Sequence, residues 1–202
     1  MSGEDRRRQI VEVAAELFSK KGFSGTTTKE IADCAGVSEA IIFRHFATKR
    51  DLYTAILDLK SRQGSRDIRA RLEEVAREKN DREFFRLLAE DKLETYTKDS
   101  SLMRLLLFSS LEGHELTDIF FESSSKELIA YLRSYIRQRV TDGAFRDIDP
   151  AMCAKAFLGM VVNHALAQTL SPNLDDVKNA TEEVVNCFVE IFLEGIYKRE
   201  RE

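Results

Sequence analysis

Residues 27–46 read TTKEIADCAGVSEAIIFRHF, and their reading decides the fold. Thr27 followed three residues later by Glu30 is a capping box, a mark of a helix start. The helix it opens carries Ile31, Ala32 and Ala35, and Gly36 stops it. Val37 fits the corner, and Ser38 is a good N-cap for a second short helix, Glu39–Phe46. Ile42 and Phe46 share one face of that helix. Two short helices joined by a tight turn are the layout of a helix-turn-helix, whose second helix fits a DNA major groove.

The flanks extend this reading. Ile10, Val13, Ala14, Leu17 and Phe18 form one stripe of a helix over Arg6–Lys21. Lys20 and Lys21 suit its C-terminal dipole, and Gly22 ends it before a short loop. Thr48 and Asp51 make another capping box, opening a helix from Lys49 through Leu52, Ala55, Ile56 and Leu59. Further helices are expected at about 81–98, 101–111, 115–141, 151–170 and 176–197, with Asp149-Pro150 opening the fourth of these. The chain therefore reads as all-α, with about nine helices. Residues 1–50 form a helix-turn-helix unit, and 51–202 a larger helical body. With 2 Pro and 9 Gly in 202 residues, turns are too sparse for a sandwich or barrel.

Composition narrows the function classes. The net charge of −4 excludes a uniformly basic nucleic-acid coat. Its distribution matters more. Residues 1–50 hold nine Lys/Arg against seven Asp/Glu, a balance of +2, and the remaining 22 basic and 28 acidic residues give −6. Cys34, Cys153 and Cys187 are too few and too widely spaced for a disulfide framework or a zinc pattern. No apolar signal core follows the N-terminus and no run approaches a membrane span, so a cytoplasmic protein is expected. No phosphate loop, H-E-x-x-H or nucleophile elbow is present, and no metal, cofactor or enzymatic activity is expected. Glu112 and Glu115 carry no weight in a chain this charged.

Lys49 and Arg50 stand in the first turn of a helix, where cations oppose the dipole unless an anion lies nearby. A docked DNA phosphate would remove the conflict; two solvated surface cations are the plainer alternative. At these residues the sequence resembles the tetracycline-repressor (TetR) family of bacterial transcription regulators. The resemblance rests on Arg8-Gln9-Ile10, Ala14-Ala15-Glu16-Leu17-Phe18, Lys21-Gly22-Phe23, Thr26-Thr27-Thr28 and Ile31-Ala32. It continues through Ala35-Gly36-Val37-Ser38, Ile42-Phe43-Arg44-His45-Phe46 and Lys49-Arg50-Asp51-Leu52, without a gap over about the first 55 residues. It implies a homodimeric regulator of double-stranded operator DNA, most often a repressor of a palindromic site that a small ligand releases. By the same resemblance Thr27 and Ser38 match phosphate-bonding positions, Phe43 and His45 an aromatic pair on the recognition helix, and Lys49 a phosphate-contacting lysine. Phe43 departs from the family's usual Tyr and lacks the phosphate-bonding hydroxyl.

The base-reading candidates are Thr28, Lys29, Glu39, Ala40 and Arg44. Arg44 suits guanine or phosphate, and Ala40 a thymine methyl. Glu39 suits a cytosine amine or simply complements the helix dipole. In the body, the 151–170 helix is apolar nearly all round, which fits deep burial or an interface. Phe157, Met160, Val161, Val184, Phe188 and Ile191 are the candidate dimer contacts, and Gly159 allows close helix approach. Leu87, Leu106, Phe108, Phe120, Phe121, Tyr131 and Phe157 are candidates for an effector pocket or for ordinary core packing. Asn163 and His164 either orient a ligand or bond within the interface. The alternative to a ligand-controlled regulator is a helical regulator or scaffold controlled by a protein partner. Loss of Arg44 and Lys49 would favour it, and both are present.

Overall fold

The computed structural model describes residues 2–63, 65–112, 118, 126–171 and 181–198; for 61–63 and 65–67 it describes the helical backbone alone. Among the described residues there are ten helices and no strand. They are α1 (Gly3–Lys21), α2 (Thr28–Ala35), α3 (Glu39–His45), α4 (Lys49–Gln63) and α5 (Ser65–Arg77). The others are α6 (Asp81–Lys98), α7 (Ser101–Glu112), α8 (Lys126–Thr141), α9 (Pro150–Leu170) and α10 (Thr181–Ile196). The all-α reading holds. Helix α5 was not expected, the segment expected as 115–141 is described as a helix from Lys126, and α10 is described from Thr181.

The chain divides into two compact units, Met1–Gln63 with Asp99–Ser125, and Gly64–Lys98 with Lys126–Glu202. This differs from the expected boundary at residue 50. All of α4 and the distant α7 join the helix-turn-helix, because α7 packs directly on α1.

In the first unit Ile10, Ala14, Phe18, Ile31, Ile42, Leu52, Tyr53, Ile56 and Leu57 are the buried core. Ile10, Ala14 and Phe18 of the expected α1 stripe and the α3 stripe face it, while Val13 and Leu17 are half-buried and Val11 and Ala15 are buried instead; each fully buried Ile, Leu or Phe contributes roughly 1.5–3 kcal/mol. The rings of Phe18, Phe23 and Tyr53 lie mutually 5.6 Å apart at their centroids. Tyr53 Oη donates to the Leu105 carbonyl (3.2 Å), and Arg104 Nε to the Ser19 carbonyl (2.7 Å), which fastens α7 to this core.

In the second unit α6 packs against α5, α9 and α10. Phe85, Phe157 and Phe192, one from each of α6, α9 and α10, form a triangle with centroids 4.8–5.0 Å apart. At its edge the buried Asp81 carboxylate accepts from Arg139 Nε (2.7 Å), Arg139 Nη2 (2.9 Å) and Tyr135 Oη (2.6 Å). That is a fully hydrogen-bonded buried charge, the form in which such a charge is tolerated. The Asp149 cap of α9 is as expected, its carboxylate accepting from Ala151 N–H (2.7 Å).

Candidate nucleic-acid interface

The turn between α2 and α3 is made by Gly36 at φ +63°, a left-handed conformation that L side chains disfavour. Gly36 N–H donates to Asp33 O (3.2 Å) and Val37 N–H to Ala32 O (3.0 Å), closing α2 with a Schellman-type end. Helix α3 then leaves with Ile42 and Phe46 buried inward. The face opposite carries Ser38, Glu39, Ala40, Phe43 and Arg44, all exposed. Phe43 is 48% exposed, the one large apolar side chain on this face of α3 that stands in solvent. Two contacts from α1 brace the motif: Gln9 Nε2 donates to Ala35 O (3.2 Å), and the Arg7 guanidinium lies 4.8 Å over the Phe46 ring.

The helix starts differ from one another. Thr27 Oγ1 accepts from Glu30 N–H (3.1 Å), but Glu30 does not complete the capping box, because its carboxylate pairs with Lys21. Ser38 has the extended backbone of an N-cap, yet its side chain makes no cap hydrogen bond. At α4 the box is complete: Thr48 N–H donates to Asp51 Oδ2 (2.9 Å), and Asp51 N–H to Thr48 Oγ1 (3.1 Å). A further box, Ser2 with Asp5, starts α1 three residues earlier than expected. Thr28 and Glu39, named separately from the sequence, are joined by a hydrogen bond from Thr28 Oγ1 to Glu39 Oε1. Lys29 is exposed beside them.

Two DNA candidates sit otherwise than expected. His45 is half-buried, its Nε2 is shut off from solvent without a partner, and its ring lies 6.4 Å from that of Phe46. Lys49 is not a solvated cation. Its Nζ donates to the Phe23 carbonyl and lies 4.2 Å from the Phe23 ring centroid and 5.6 Å from that of Phe18. Burial pushes the ammonium below its ordinary value, and the nearby Glu112 carboxylate works against that.

The sequence reading missed Glu112. Its Oε2, at the end of α7, accepts from Phe23 N–H (2.8 Å) and Ser24 N–H (3.0 Å). Gly22, at φ +74°, makes room: a Cβ there would lie 2.0 Å from Glu112 Oε1. The one local signal was an acid in the last turn of a helix, where it opposes the dipole.

The body candidates are redistributed. Leu106 and Phe108 belong to the first unit, not to the unit of Leu87, Tyr131, Phe157, Asn163 and His164, and Phe120 and Phe121 lie outside the described residues. Leu87 and Phe157 are packed core, and Tyr131 is half-buried 5.9 Å from Phe84. Asn163 is exposed; His164 is half-buried, edge-on to Phe188 at 5.9 Å, and burial lowers its pKa. Of the dimer candidates, Phe157, Val161 and Val184 are buried within their own unit, Met160 and Phe188 are half-buried, and Ile191 is 59% exposed. The outward face of α9 instead presents Met152 (62%), Ala156, Gly159, Asn163 and Leu170 (63%). On α10 it presents Cys187, Ile191 and Gly195. A Cβ at Gly159 or Gly195 would meet nothing within 4 Å. All three cysteines are free thiols. Among the described residues no helix is long and apolar enough to cross a membrane, and no group of three or more His, Cys, Asp or Glu is placed to hold a metal ion.

Residues 10–56 match the family described as bacterial regulatory proteins, tetR family, and residues 85–198 match the AefR-like transcriptional repressor C-terminal domain. The uncharacterized HTH-type transcriptional regulator YvkB of Bacillus subtilis is 50% identical over 54 residues, 27% of this chain and 29% of that protein. The chain thus spans under a third of the length of that curated relative. Among solved structures, FadR from Bacillus subtilis in complex with stearoyl-CoA superposes with a TM-score of 0.75 at 21% identity, covering 94% of this chain and 99% of that one. AibR in complex with isovaleryl coenzyme A and operator DNA gives 0.71 at 24% identity, covering 92% and 97%.

Proposed function

The chain belongs to the TetR family of bacterial regulatory proteins, which are DNA-binding transcriptional regulators, and from that premise we propose that it is a homodimeric repressor. It binds a palindromic operator and is released by a small apolar effector. The observation that carries the DNA-binding part is the outward face of α3, where Ser38, Glu39, Ala40, Phe43 and Arg44 stand together in solvent while Ile42 and Phe46 are buried.

Each side chain has a role fitted to its chemistry. The Ser38 hydroxyl, which makes no cap bond, donates to a phosphate. Thr27 accepts from Glu30 and keeps its own proton to donate to another. Arg44 forms the bidentate pair with guanine, and Phe43 and Ala40 supply apolar contact to thymine methyls. Glu39, aligned by Thr28, accepts from a cytosine amine, and Lys29 adds a phosphate contact. Lys49 acts inside the protein rather than on the DNA.

The dimer forms on the outer faces of α9 and α10, where Met152, Leu170 and Ile191 stand in water beside exposed Lys155, Glu190 and Glu194 unless a second copy covers them. Twofold pairing sets the two α3 helices about 34–36 Å apart, or a multiple of one DNA turn. Two fold neighbours were solved with acyl-CoA ligands, in which an apolar acyl chain is carried on a charged, phosphorylated coenzyme A, and this supports an acyl-CoA as the first effector to test, with the free fatty acid as the purely apolar comparison. Such a ligand favours a dimer whose α3 spacing no longer matches adjacent grooves.

The test is retention of sheared genomic fragments by the purified chain at stepped salt. Specific fragments are expected to be held at low salt and released with a steep salt dependence. No retention above background at low salt would overturn the proposal, and capture of a protein with no DNA would favour a partner-controlled scaffold.

A further inference from the structure

Two charges in the first unit oppose their own helix dipoles. Lys49 stands in the first turn of α4, and Glu112 ends α7. Each placement is unfavourable in isolation. Both charges converge on the Phe23–Ser24 peptide group in the loop between α1 and α2. Glu112 Oε2 takes the Phe23 and Ser24 N–H groups, and Lys49 Nζ takes the Phe23 carbonyl. That peptide is held at both ends, its carbonyl by Lys49, 26 residues distant, and its N–H by Glu112, 88 residues distant.

The surrounding loop has no slack to absorb a shift. A Cβ at Gly25 would lie 2.2 Å from the Lys21 carbonyl, and one at Gly22 would collide with Glu112. Buried Thr26 Oγ1 donates to the Gly22 carbonyl (2.9 Å). Thr27, the cap of α2, follows directly. Moving the Phe23 peptide therefore moves the start of α2, and with it Thr28 and the Glu39 carboxylate that Thr28 holds.

We propose that Glu112 is a positioning residue for DNA reading: through the Phe23 and Ser24 amides, α7 sets where the helix-turn-helix stands on its own core, and thereby the sequence selectivity of α3. This rests on the DNA-binding reading above. Glu112 touches no DNA in the proposal. Its removal therefore blurs the choice between sequences more than it weakens the general attraction to phosphate.

The experiment compares the wild-type full chain with E112A, E112Q and E112D. The probes are the duplex that the wild-type chain selects from a random-sequence pool and a scrambled duplex of equal composition. The readout is the ratio of the two affinities well below each variant's melting temperature. E112A is expected to lower that ratio about tenfold, the worth of a charge-assisted hydrogen-bond pair. E112Q keeps an acceptor oxygen for the two amides and should stay within about threefold of wild type. E112D, one methylene short, should fall with E112A and decides the matter if E112A does not fold. A ratio unchanged in folded E112A or E112D, even with a lower melting temperature, would overturn the proposal, as would E112Q falling as far as E112A. If the wild-type chain selects no duplex, the DNA-binding reading fails instead, and the two failures are told apart.

Discussion

The two compact units use buried charge in different ways. In the second, Asp81 accepts from Arg139 and Tyr135, two side chains one turn apart on α8. In the first, Glu112 and Lys49 hold the backbone of a loop that has no helix of its own. The first arrangement fixes helices that their packed aromatic rings already fix, so its removal is felt as stability. The second fixes the loop backbone that leads into α2, so its removal is expected to be felt as geometry at α2 and α3.

This contrast breaks most readily at Asp81. Asp81→Ala leaves Arg139 only its Asp142 partner and strips Tyr135 of its acceptor, and should cost about 3 kcal/mol of unfolding free energy, read by chemical denaturation. A loss no larger than that of a surface change would mean that the network adds nothing to the aromatic core. Next comes the uncovered face of α9 and α10. Met152→Asp with Ile191→Asp should give a monomer by light scattering and weaken operator binding by about a hundredfold, since two tethered half-sites become one. Monomeric wild-type protein would refute the use made of that face.

Arg44→Ala should lower operator affinity about tenfold and relax the preference at one base pair, a pattern seen by testing each substitution in the site. Smaller still is a pH effect confined to the first unit. Burial holds the Tyr53 phenol up at about 12, with the Glu112 charge adding to the rise. Its contribution is whole below the ordinary value of 10.0 and fades as pH climbs toward 12. Tyr53→Phe should be less stable by about 1 kcal/mol at neutral pH, and the gap in melting temperature should close on the alkaline side. The least effect belongs to Lys49: because its ammonium is turned onto Phe23, Lys49→Ala should leave the slope of log affinity against log salt unchanged. A phosphate-contacting lysine would lower that slope by about one.

The sequence made the helix-turn-helix legible because its signals are local. Gly36 must adopt a positive φ, caps precede each helix, and Ile42 and Phe46 repeat at helical spacing. What stayed hidden is non-local. Glu112 is one acid among many until the chain brings it to amides 88 and 89 residues away. Helix α5 is mostly charged, with only Ile68, Leu72 and Val75 marking a face, and no cap announces it. Helix α9 is apolar on every side, so its sequence signals burial without telling core from interface. Phe157 and Val161 therefore read as interface although they face inward, and Met152, which stands in solvent, was passed over.

The central claim is that α3 reads DNA as one of a symmetric pair. The most direct test is selection of duplexes from a random pool by the full chain, followed by the mass of the bound complex. The account predicts an enriched sequence with two inverted half-sites, their centres about 34–36 Å or a multiple of one DNA turn apart, bound by two copies of the chain. No enrichment, or a single asymmetric site bound by one copy, would contradict it.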